Sequence, residues 1–482
     1  MLAPRATPRL ARPASHLAIL VAALLAATAC SGKRGGGGAP LTTGGDPRLL
    51  ELAVEPTADR VLADELGELA VRIRVSAARL PPGDRPPLNL TLVLDTSGSM
   101  EGAAIEEEKR AARTLVEKLT PRDRVALVIF HSTAEVLVES TRVDDGARRR
   151  LARAIDDITA RGTTDLASGL ALGLQQAAAG RVPGSIDRVV LLGDGVPNDP
   201  SALPGLVAGA VAQRLSITTL GLGIEFDEVL LGQIARDTGG RYHYLDEPGQ
   251  VAAVFEDELL QMRQVVGKNL ALELVAGPGV TLEPLGGFQP MGKGLYAVLG
   301  DLTAGEIRDV VVPLRVVGRR DGAVVELVDA TLTFEDATRG AGGLRRTGFA
   351  RVRADADPAA VAASVKVAIE LARARARAAS AILDAIARAR AADLAGALAV
   401  IDAALVEART TAERTGDAEL LDLAARMELL RADLPELAAA AQRALQVHGH
   451  GAGAMPSPAA AAPEAVERRT RDAHRRAVDV VR

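Results

Sequence analysis

The chain has 482 residues, of which 48% are hydrophobic and 25% charged, and its formal net charge is −5 at pH 7. This length and composition allow two to four domains with their own cores and exclude an intrinsically disordered protein. Aromatic residues make up only 2%, so we expect cores of Ala, Leu and Val. The slight acidity, with no long block of Lys or Arg before the last few residues, argues against a nucleic-acid partner.

The N-terminus has the layout of a bacterial secretion signal. Three arginines precede the apolar run LAILVAALLAATA at Leu17 to Ala29, which is short for a membrane span and ends at Cys30. Cys30 is the only cysteine, and its place after small residues resembles a lipoprotein signal, whose cysteine carries the lipid. Ala27 stands where such signals commonly have leucine, and a plain secretory peptide is the alternative. We expect residues 1–29 to be removed and Cys30 to be lipidated.

A flexible tether follows at residues 30–45 and includes SGKRGGGGAP, Ser31 to Pro40. Such a tether behind a lipid-bearing cysteine would lift the body of the protein off a membrane surface. We therefore expect a lipid-anchored, extracytoplasmic protein of the cell envelope, either periplasmic or exposed at the bacterial surface.

Two strand-rich segments flank a region with a different pattern of hydrophobic residues. Residues 46–87 include LAVRIRVSA, Leu69 to Ala77, whose apolar residues alternate as in a half-buried strand. Residues 268–353 contain strand-like segments separated by Gly, Pro or Asp turns, which predict an antiparallel β-sandwich. Because the upstream strands have no partner before residue 88, our hypothesis is that they complete this sandwich and that the intervening region is an insertion.

Residues 88–265 alternate short apolar runs with helical patterns. VALVIF, Val125 to Phe130, and VVLLGD, Val189 to Asp194, are rich in Val and Leu without alternation. Strands buried on both faces, with helices between them, predict a doubly wound α/β domain with a mostly parallel sheet. In this architecture ligands bind beyond the carboxyl ends of the strands.

The C-terminal part is predicted to be α-helical. Residues 358–447 are interrupted at AADLAG and RTGDAEL, which indicates a bundle of three antiparallel helices. Residues 448–482 follow as a low-complexity linker and a short basic helix whose charges we expect to be solvated. His448 and His450 lie in the linker and are too few for a specific metal site.

Five oxygen-bearing side chains are expected at the carboxyl edge of the α/β sheet, namely Asp95, Ser97 and Ser99 of DTSGSM, Thr164 of the loop RGTTDL, and Asp194 at the end of VVLLGD. Carboxylates and hydroxyls without His or Cys in the motif indicate a hard divalent cation. Mg²⁺ or Mn²⁺ fits best, with Ca²⁺ as a further option. One coordination position stays open, and a carboxylate of a ligand would complete it.

These segments also carry a family resemblance. DTSGSM, the GTTDL loop and LLGDGVPN resemble the three parts of the metal-ion-dependent adhesion site in von Willebrand factor type A domains, and the similarity covers residues 88–265. It implies that the five residues are cation ligands, the hydroxyls directly and the aspartates often through water. It also implies an adhesion-type module whose cation bridges to an acidic residue of a protein partner.

Three alternatives stay open at this site. Gly193 stands where the family commonly has threonine, which would loosen hydrogen bonding around the cation, lower its affinity or leave the site without metal. Thr163 competes with Thr164, although the spacing G-x-T-x-L favours Thr164. The DxSxS motif also occurs by chance, and Asp95 would then only cap the next helix.

An enzyme is not expected. His131 and Ser132 follow the second strand of the α/β domain, but no GxSxG elbow or oxyanion loop accompanies them. The favoured function is a lipid-anchored, extracytoplasmic protein-binding module that uses a divalent cation to bridge to a carboxylate of its partner. The alternative is a cell-envelope assembly or scaffold component in which the α/β domain regulates docking.

Overall fold

The structure is a computed structural model that describes residues 48–79, 85–224, 226–448 and 462–481. The predicted signal segment, Cys30, the tether up to residue 45 and the linker at residues 449–461 lie outside the described residues. The fold class predicted from the sequence is confirmed: a doubly wound α/β domain, a β-sandwich and a C-terminal helical region.

The described residues form three sheets. Their strands are β1 (Leu50–Pro56), β2 (Arg60–Leu62), β3 (Gly67–Ala77), β4 (Leu88–Asp95), β5 (Arg124–Phe130), β6 (Ala134–Arg142), β7 (Ile186–Gly193), β8 (Ser216–Leu222), β9 (Tyr242–Leu245), β10 (Val265–Ala276), β11 (Val280–Leu282), β12 (Gln289–Met291), β13 (Gly294–Thr303), β14 (Ile307–Val316), β15 (Val324–Asp336) and β16 (Ala341–Asp355). The sandwich sheets have the orders β1-β3-β14-β11 and β12-β13-β10-β15-β16-β2. Their pairs are antiparallel except that of β2 with β16.

The strands before residue 80 belong to the sandwich. β3 lies between β1 and β14, with Ile73 opposite Val310 and Val71 opposite Val312. Val71, Ile73 and Val75 are fully buried, because alternate residues of a strand point to the same face of the sheet. The α/β domain is therefore inserted between β3 and β10.

The sheet of the α/β domain has the order β6-β5-β4-β7-β8-β9 and is parallel except for the edge strand β6. Every residue of β4 is buried, as expected for a central strand covered on both faces. Six helices cover the sheet: α1 (Ala103–Lys118), α2 (Asp145–Asp156), α3 (Leu166–Ala179), α4 (Leu203–Ala212), α5 (Glu228–Asp237) and α6 (Val251–Arg263). One core joins the sheet to α1, α2 and α6 and another joins it to α3, α4 and α5.

The C-terminal helices are α7 (Pro358–Ala363), α8 (Val367–Arg390), α9 (Leu394–Thr415), α10 (Ala418–His448) and α11 (Glu464–Val481). α8, α9 and α10 pack on one another around a core rich in alanine, in which Ala378, Ile382 and Ala385 share the buried face of α8. The distance between helix axes depends on the side chains at the contact, and small side chains allow these helices to pack closely. None of the helices in the described ranges is long and apolar enough to cross a membrane.

The prediction that the charges of the last helix are solvated is wrong for one face of the helix, while Glu464, Arg468 and Arg475 on it are exposed. α11 packs against α8, α10 and the α/β domain, and Glu467, Arg471 and His474 on it are buried. Arg471 forms ion pairs with Glu467 and with Glu228 of α5 and lies over the ring of Phe226. The buried charges are stable because they are paired, which no single-segment pattern reveals.

Candidate metal centre

The first part of the site follows the central strand β4. Thr96 donates its backbone N–H to the carbonyl of Phe130 (2.7 Å), which ties the loop to the end of β5. Asp95 accepts the backbone N–H of Ser97 through Oδ1 (2.9 Å), and a 3₁₀ turn at Gly98–Met100 then leads towards α1. Met100 is fully buried and anchors this turn in the core. The loop is therefore held at both ends.

A second loop lies along the first one. Arg161 donates its backbone N–H to the carbonyl of Thr96 (2.7 Å), and Gly98 donates to the carbonyl of Gly162 (3.0 Å). Gly162 has a φ of 72°, in the region that favours glycine. These contacts bring Thr164, which is 3% exposed, to the same edge of the sheet as Asp95.

The end of β7 supplies the third part of the site. Ser99 donates its hydroxyl to Oδ1 of Asp194 (2.7 Å), and its Oγ lies 3.0 Å from Oγ of Ser97. A methyl group built on Gly195 would lie 2.9 Å from Oγ1 of Thr164. The structure thus brings all five predicted side chains, Asp95, Ser97, Ser99, Thr164 and Asp194, to one edge of the sheet, with hydrogen bonds joining the first loop to Asp194.

Thr163 and Thr164 have different environments. The Thr163 hydroxyl accepts a hydrogen bond from Asn198 (2.9 Å) and lies 3.3 Å from Oγ of Ser132. The Thr164 hydroxyl lies instead against the segment that follows Asp194. Of the two, Thr164 therefore lies beside the segment that carries Asp194.

The electrostatics of the site centre on Asp95. This carboxyl group is fully buried, and its Oδ2 has no hydrogen-bond partner among the described residues. Burial, followed by the charge of Asp194, raises the pKa of Asp95 to about 7, against hydrogen bonds from Ser97 and from the backbone of Asp194 that lower it. A buried, unpaired carboxylate is unfavourable unless a positive charge balances it.

The chemistry of these donors fits a hard divalent cation. Two carboxylates and three hydroxyls are oxygen ligands of the type that Mg²⁺, Mn²⁺ and Ca²⁺ prefer. In the described part of the chain, no three His, Cys, Asp or Glu side chains come together to hold a metal ion, so hydroxyls are an essential part of this set. A cation bound here would balance the charge of Asp95 and Asp194.

The residue before Asp194 leaves space beside Asp95. A Cβ atom built on Gly193 would lie 3.4 Å from the unpartnered Oδ2 of Asp95 and 3.9 Å from Cζ of Phe130. Because glycine offers no hydroxyl here, Oδ2 lacks the donor that threonine could provide. This is the structural consequence of the departure noted in the sequence.

The rim beside the second loop is basic. Arg161 donates its Nε–H to Nε2 of His131 (3.1 Å), and the pKa of His131 is lowered by burial and by the charge of Arg161. Ser132 accepts the backbone N–H of Thr163 (3.0 Å), so its hydroxyl holds the loop.

One functional candidate was missed by the sequence reasoning. Glu108 of α1 is fully buried, and both of its carboxylate oxygens lack a hydrogen-bond partner among the described residues. It shares the face that carries Ile105 and Ala112, both buried. The signal was a charge at a position where helical spacing predicts an apolar residue.

Comparison with known families agrees with this geometry. Residues 89–257 match the sequence model of the von Willebrand factor type A domain. This segment is a von Willebrand factor type A domain. Domains of this family typically act in protein interaction or adhesion and commonly bind a divalent metal ion. The match covers the sheet, α1 to α5 and most of α6, together with the three parts of the candidate centre.

Curated relatives match about half of this chain or less. An uncharacterised protein of Synechocystis is 34% identical over 210 residues, which are 43% of this chain and 49% of that protein. A protein of Arabidopsis thaliana named E3 ubiquitin-protein ligase WAV3 is 25% identical over 257 residues, 52% of this chain and 33% of that protein. The chain thus spans less than half the length of either relative, and one of them is named as an enzyme.

A solved structure extends the likeness beyond the von Willebrand factor type A domain. A von Willebrand factor type A protein from Catenulispora acidiphila superposes with a TM-score of 0.62, over 81% of this chain and 90% of that chain, at 19% identity. At this identity the likeness shows the fold alone. The fold that is shared includes parts of the chain outside residues 89–257.

Proposed function

We propose that the chain is a lipid-anchored, extracytoplasmic protein-binding module whose von Willebrand factor type A domain holds a divalent cation and bridges through it to a carboxylate of a protein partner. The observation that carries the proposal is the unpartnered, buried Oδ2 of Asp95 beside Asp194. Two adjacent acids and a ring of hydroxyls at the carboxyl edge of the sheet call for a cation.

The five residues of the centre would contribute two kinds of oxygen ligand. Asp95 and Asp194 supply negative charge, and Ser97, Ser99 and Thr164 supply neutral oxygens that need no deprotonation. When bound, the cation would act as a Lewis acid that attracts an anionic oxygen. The loops fix these side chains before a ligand arrives, since hydrogen bonds between the loops already hold them. Such preorganisation lowers the entropy lost on binding.

The exposure of the loops favours a macromolecular ligand. Gly98 and Ser99 are exposed, while Asp95 and Ser97 beneath them are buried. Val196, two residues after Asp194, is 47% exposed, and Arg161 on the opposite loop is also exposed. A partner with an acidic side chain next to an apolar one would suit this rim, by charge and by apolar contact.

The location of the module rests on the sequence. The apolar run before Cys30 and the glycine-rich tether after it support secretion and lipid anchoring. A single lipid chain gives only marginal membrane binding, so the lipid-bearing cysteine would need more than one acyl chain to hold the protein. No catalytic step is proposed, because the Ser99 hydroxyl and the Asp194 carboxylate that accepts its hydrogen bond are both assigned to the cation.

The experiment is a capture assay with the full chain expressed in a bacterial host. Wild type, Asp95→Asn and Asp194→Asn are compared for Mg²⁺ binding by calorimetry and for partner capture with and without EDTA. We expect Mg²⁺ uptake and EDTA-sensitive capture by the wild type only, since each variant removes one of the two negative charges. Asp199→Asn, an exposed acid on the following loop, is the control and should behave as the wild type.

Two outcomes would change this conclusion. Equal heats of Mg²⁺ binding in the wild type and in all variants would show that the cation has no part in the function. Capture that survives EDTA would favour the scaffold role, in which the sandwich or the helices hold the partner. The anchor is tested in the same cells, where wild type should sediment with membranes and Cys30→Ser should not.

A further inference from the structure

One corner of the sandwich brings together arginines from three strand ends. β1 and β3 pair with Leu50 opposite Ala77, and this antiparallel register, continued by two residues, places Arg48 opposite Arg79. Both arginines are exposed. Two positive charges therefore flank the point at which β1 begins.

β16 adds two further arginines beside the same strand. Arg346 donates its Nε–H to the carbonyl of Leu50 (3.0 Å) and a second N–H to the carbonyl of Arg345 (3.0 Å). Arg345 is exposed and donates to the hydroxyl of Thr331 on the neighbouring strand (3.1 Å). We call the four residues Arg48, Arg79, Arg345 and Arg346 the basic corner.

The basic corner contrasts with the charge of the whole chain. In the described segments that form it, residues 48–51, 76–79 and 344–347, four arginines stand against one acid, Glu51. Glu306, which lies near Arg79 in the next turn, pairs with Arg308 and accepts from Thr303. The complete chain has a formal net charge of −5, so the corner is a basic patch on an acidic protein.

The described chain also enters the fold at this corner. The segment from Cys30 to Arg48 could span at most about 60 Å when fully extended, and a glycine-rich chain of that length has an average end-to-end distance of about 20–25 Å. A lipid on Cys30 would therefore hold Arg48, and the arginines around it, close to the surface of a membrane.

We propose that the basic corner is a contact surface for a membrane of anionic phospholipids, and that it orients the anchored protein on this membrane. The inference rests on the lipid anchor of the proposed function. An anionic surface attracts the corner and repels the acidic remainder of the chain. Four arginines give binding only in about the millimolar range, so the corner orients a protein that the lipid holds and does not replace the lipid.

This orientation gives the cation centre a direction. Gly305 donates its N–H to the carbonyl of Ala78, next to Arg79, and the residue before it donates to the carbonyl of Gln264 at the end of α6. These contacts lie at the amino edge of the α/β sheet, whereas Asp95 ends β4 at the carboxyl edge, about 23 Å along the strand. A membrane at the corner thus leaves the cation centre facing away from it, towards a partner.

The first test measures binding to vesicles by the chain from Ser31 onwards, which keeps every described residue and lacks the anchor. At about 0.1 M salt we expect weak binding to an equal mixture of phosphatidylcholine and phosphatidylglycerol and none to phosphatidylcholine alone. Arg79→Gln combined with Arg345→Gln should weaken this binding about 25-fold, since each arginine near an anionic surface contributes about five-fold.

The matched control is Arg320→Gln combined with Arg353→Gln. Both residues are exposed, and Arg353 lies about 26 Å along β16 from Arg345, beyond the screening length of about 10 Å at this salt concentration. The control should bind as the wild type does. Equal losses in the two double variants, equal binding to both kinds of vesicle, or no binding by the wild type would overturn the proposal.

The second test determines the orientation of the lipidated full chain. The sequence contains no tryptophan, so a single one is a specific fluorescent probe. Thr347→Trp places it two residues from Arg345, and Val324→Trp places it at the opposite end of the sandwich, where Val324 is 64% exposed and pairs with Arg353. In mixed vesicles with a nitroxide on the lipid headgroup, we expect strong quenching of Thr347→Trp only.

The two tests separate the corner from the anchor. A chain that carries no lipid on Cys30 would overturn the anchor of the proposed function, while the vesicle assay would still measure the corner. Equal quenching of the two probes in a lipidated protein would overturn only the role of the corner, because the anchor would then hold the protein without a preferred orientation.

Discussion

The side chain of Asp95 is held from one side only. Oδ1 accepts the N–H of Ser97, while Oδ2 points towards the space beside Gly193 without a partner among the described residues. The strand position of Gly193 needs no unusual φ, since it is absent from the residues with positive φ. A β-branched side chain is therefore compatible with this backbone, and the missing donor can be supplied by a single substitution.

Gly193→Thr is expected to strengthen cation binding several-fold. A threonine hydroxyl near the built Cβ, 3.4 Å from Oδ2 of Asp95, can donate to that oxygen and fix its orientation, and such partners of metal ligands change affinity by roughly ten-fold or more when altered. Gly193→Val is the matched control with the same shape and no hydroxyl. Calorimetry with Mg²⁺ measures both, and equal affinities of the two variants would refute the role of the hydroxyl.

Individual site residues differ in how far the sequence predicts them. Asp95, Ser97, Ser99 and Asp194 were predictable because strand ends meet at one edge of a parallel sheet, so that distant segments converge. The burial of Glu108 was not predictable, since it depends on what lies opposite its helix face. The lack of a donor for Oδ2 was foreseen at Gly193 only as a departure from a family pattern.

At the level of elements, α11 illustrates what local pattern cannot show. Its many charges are typical of a solvated helix, yet Glu467 and Arg471 are buried in a network with Glu228 and Arg390. Arg390 donates hydrogen bonds to Glu228 and to Glu467. Strands such as β3 were predictable because period-two alternation needs only the segment itself. The burial of α11 needs partners from α5 and α8, more than 70 residues away in the chain.

His474 makes the packing of α11 sensitive to pH. Its ring meets that of Tyr242 edge-on at 5.3 Å and contacts Gly232. Burial lowers its pKa to about 4, and Arg236, Arg471 and Arg390 lower it too, against the charge of Glu228. The folded protein thus keeps His474 neutral at a pH where the unfolded chain takes up a proton.

We expect this residue to reduce stability as pH falls. Above pH 6.5 His474 is neutral in both the folded and the unfolded state, so it does not affect how stability depends on pH. Between pH 6.5 and about 4 His474 is protonated only in the unfolded chain, which lowers the free energy of unfolding by up to about 3 kcal/mol. His474→Phe keeps an aromatic ring against Tyr242, and its free energy of unfolding should not fall in this way as the pH is lowered. Urea unfolding at pH 7, 5.5 and 4.5 tests it, and identical pH slopes for both proteins would contradict the assignment.

At the level of the whole molecule, the inserted domain is joined to the sandwich by more than its two chain connections. Arg188 of β7 donates to Oδ2 of Asp301 in β13 (2.7 Å), and both side chains are less than a tenth exposed. Lys268 of β10 donates to the carbonyl of Ser185 (2.9 Å). These buried polar contacts fix the von Willebrand factor type A domain on the sandwich, so that the cation centre has a defined direction relative to the rest of the described chain.

Breaking the pair of Arg188 and Asp301 is expected to destabilise this junction. Arg188→Met leaves Asp301 buried with only the N–H of Asn269 as a donor, and an uncompensated buried charge costs about 3–5 kcal/mol. Adding Asp301→Asn removes that charge and should recover part of the loss. Arg181→Met is the control, because its ion pair with Asp187 is partly exposed and should change stability by less than about 1 kcal/mol.

Urea unfolding followed by circular dichroism measures these free energies. If the pair couples the two parts, Arg188→Met also separates one cooperative transition into two, since the inserted domain then unfolds without the sandwich. Additive losses in the double variant, with a single transition throughout, would mean that the two parts are held together by their apolar contacts and the chain connections, and that the buried ion pair has no coupling role.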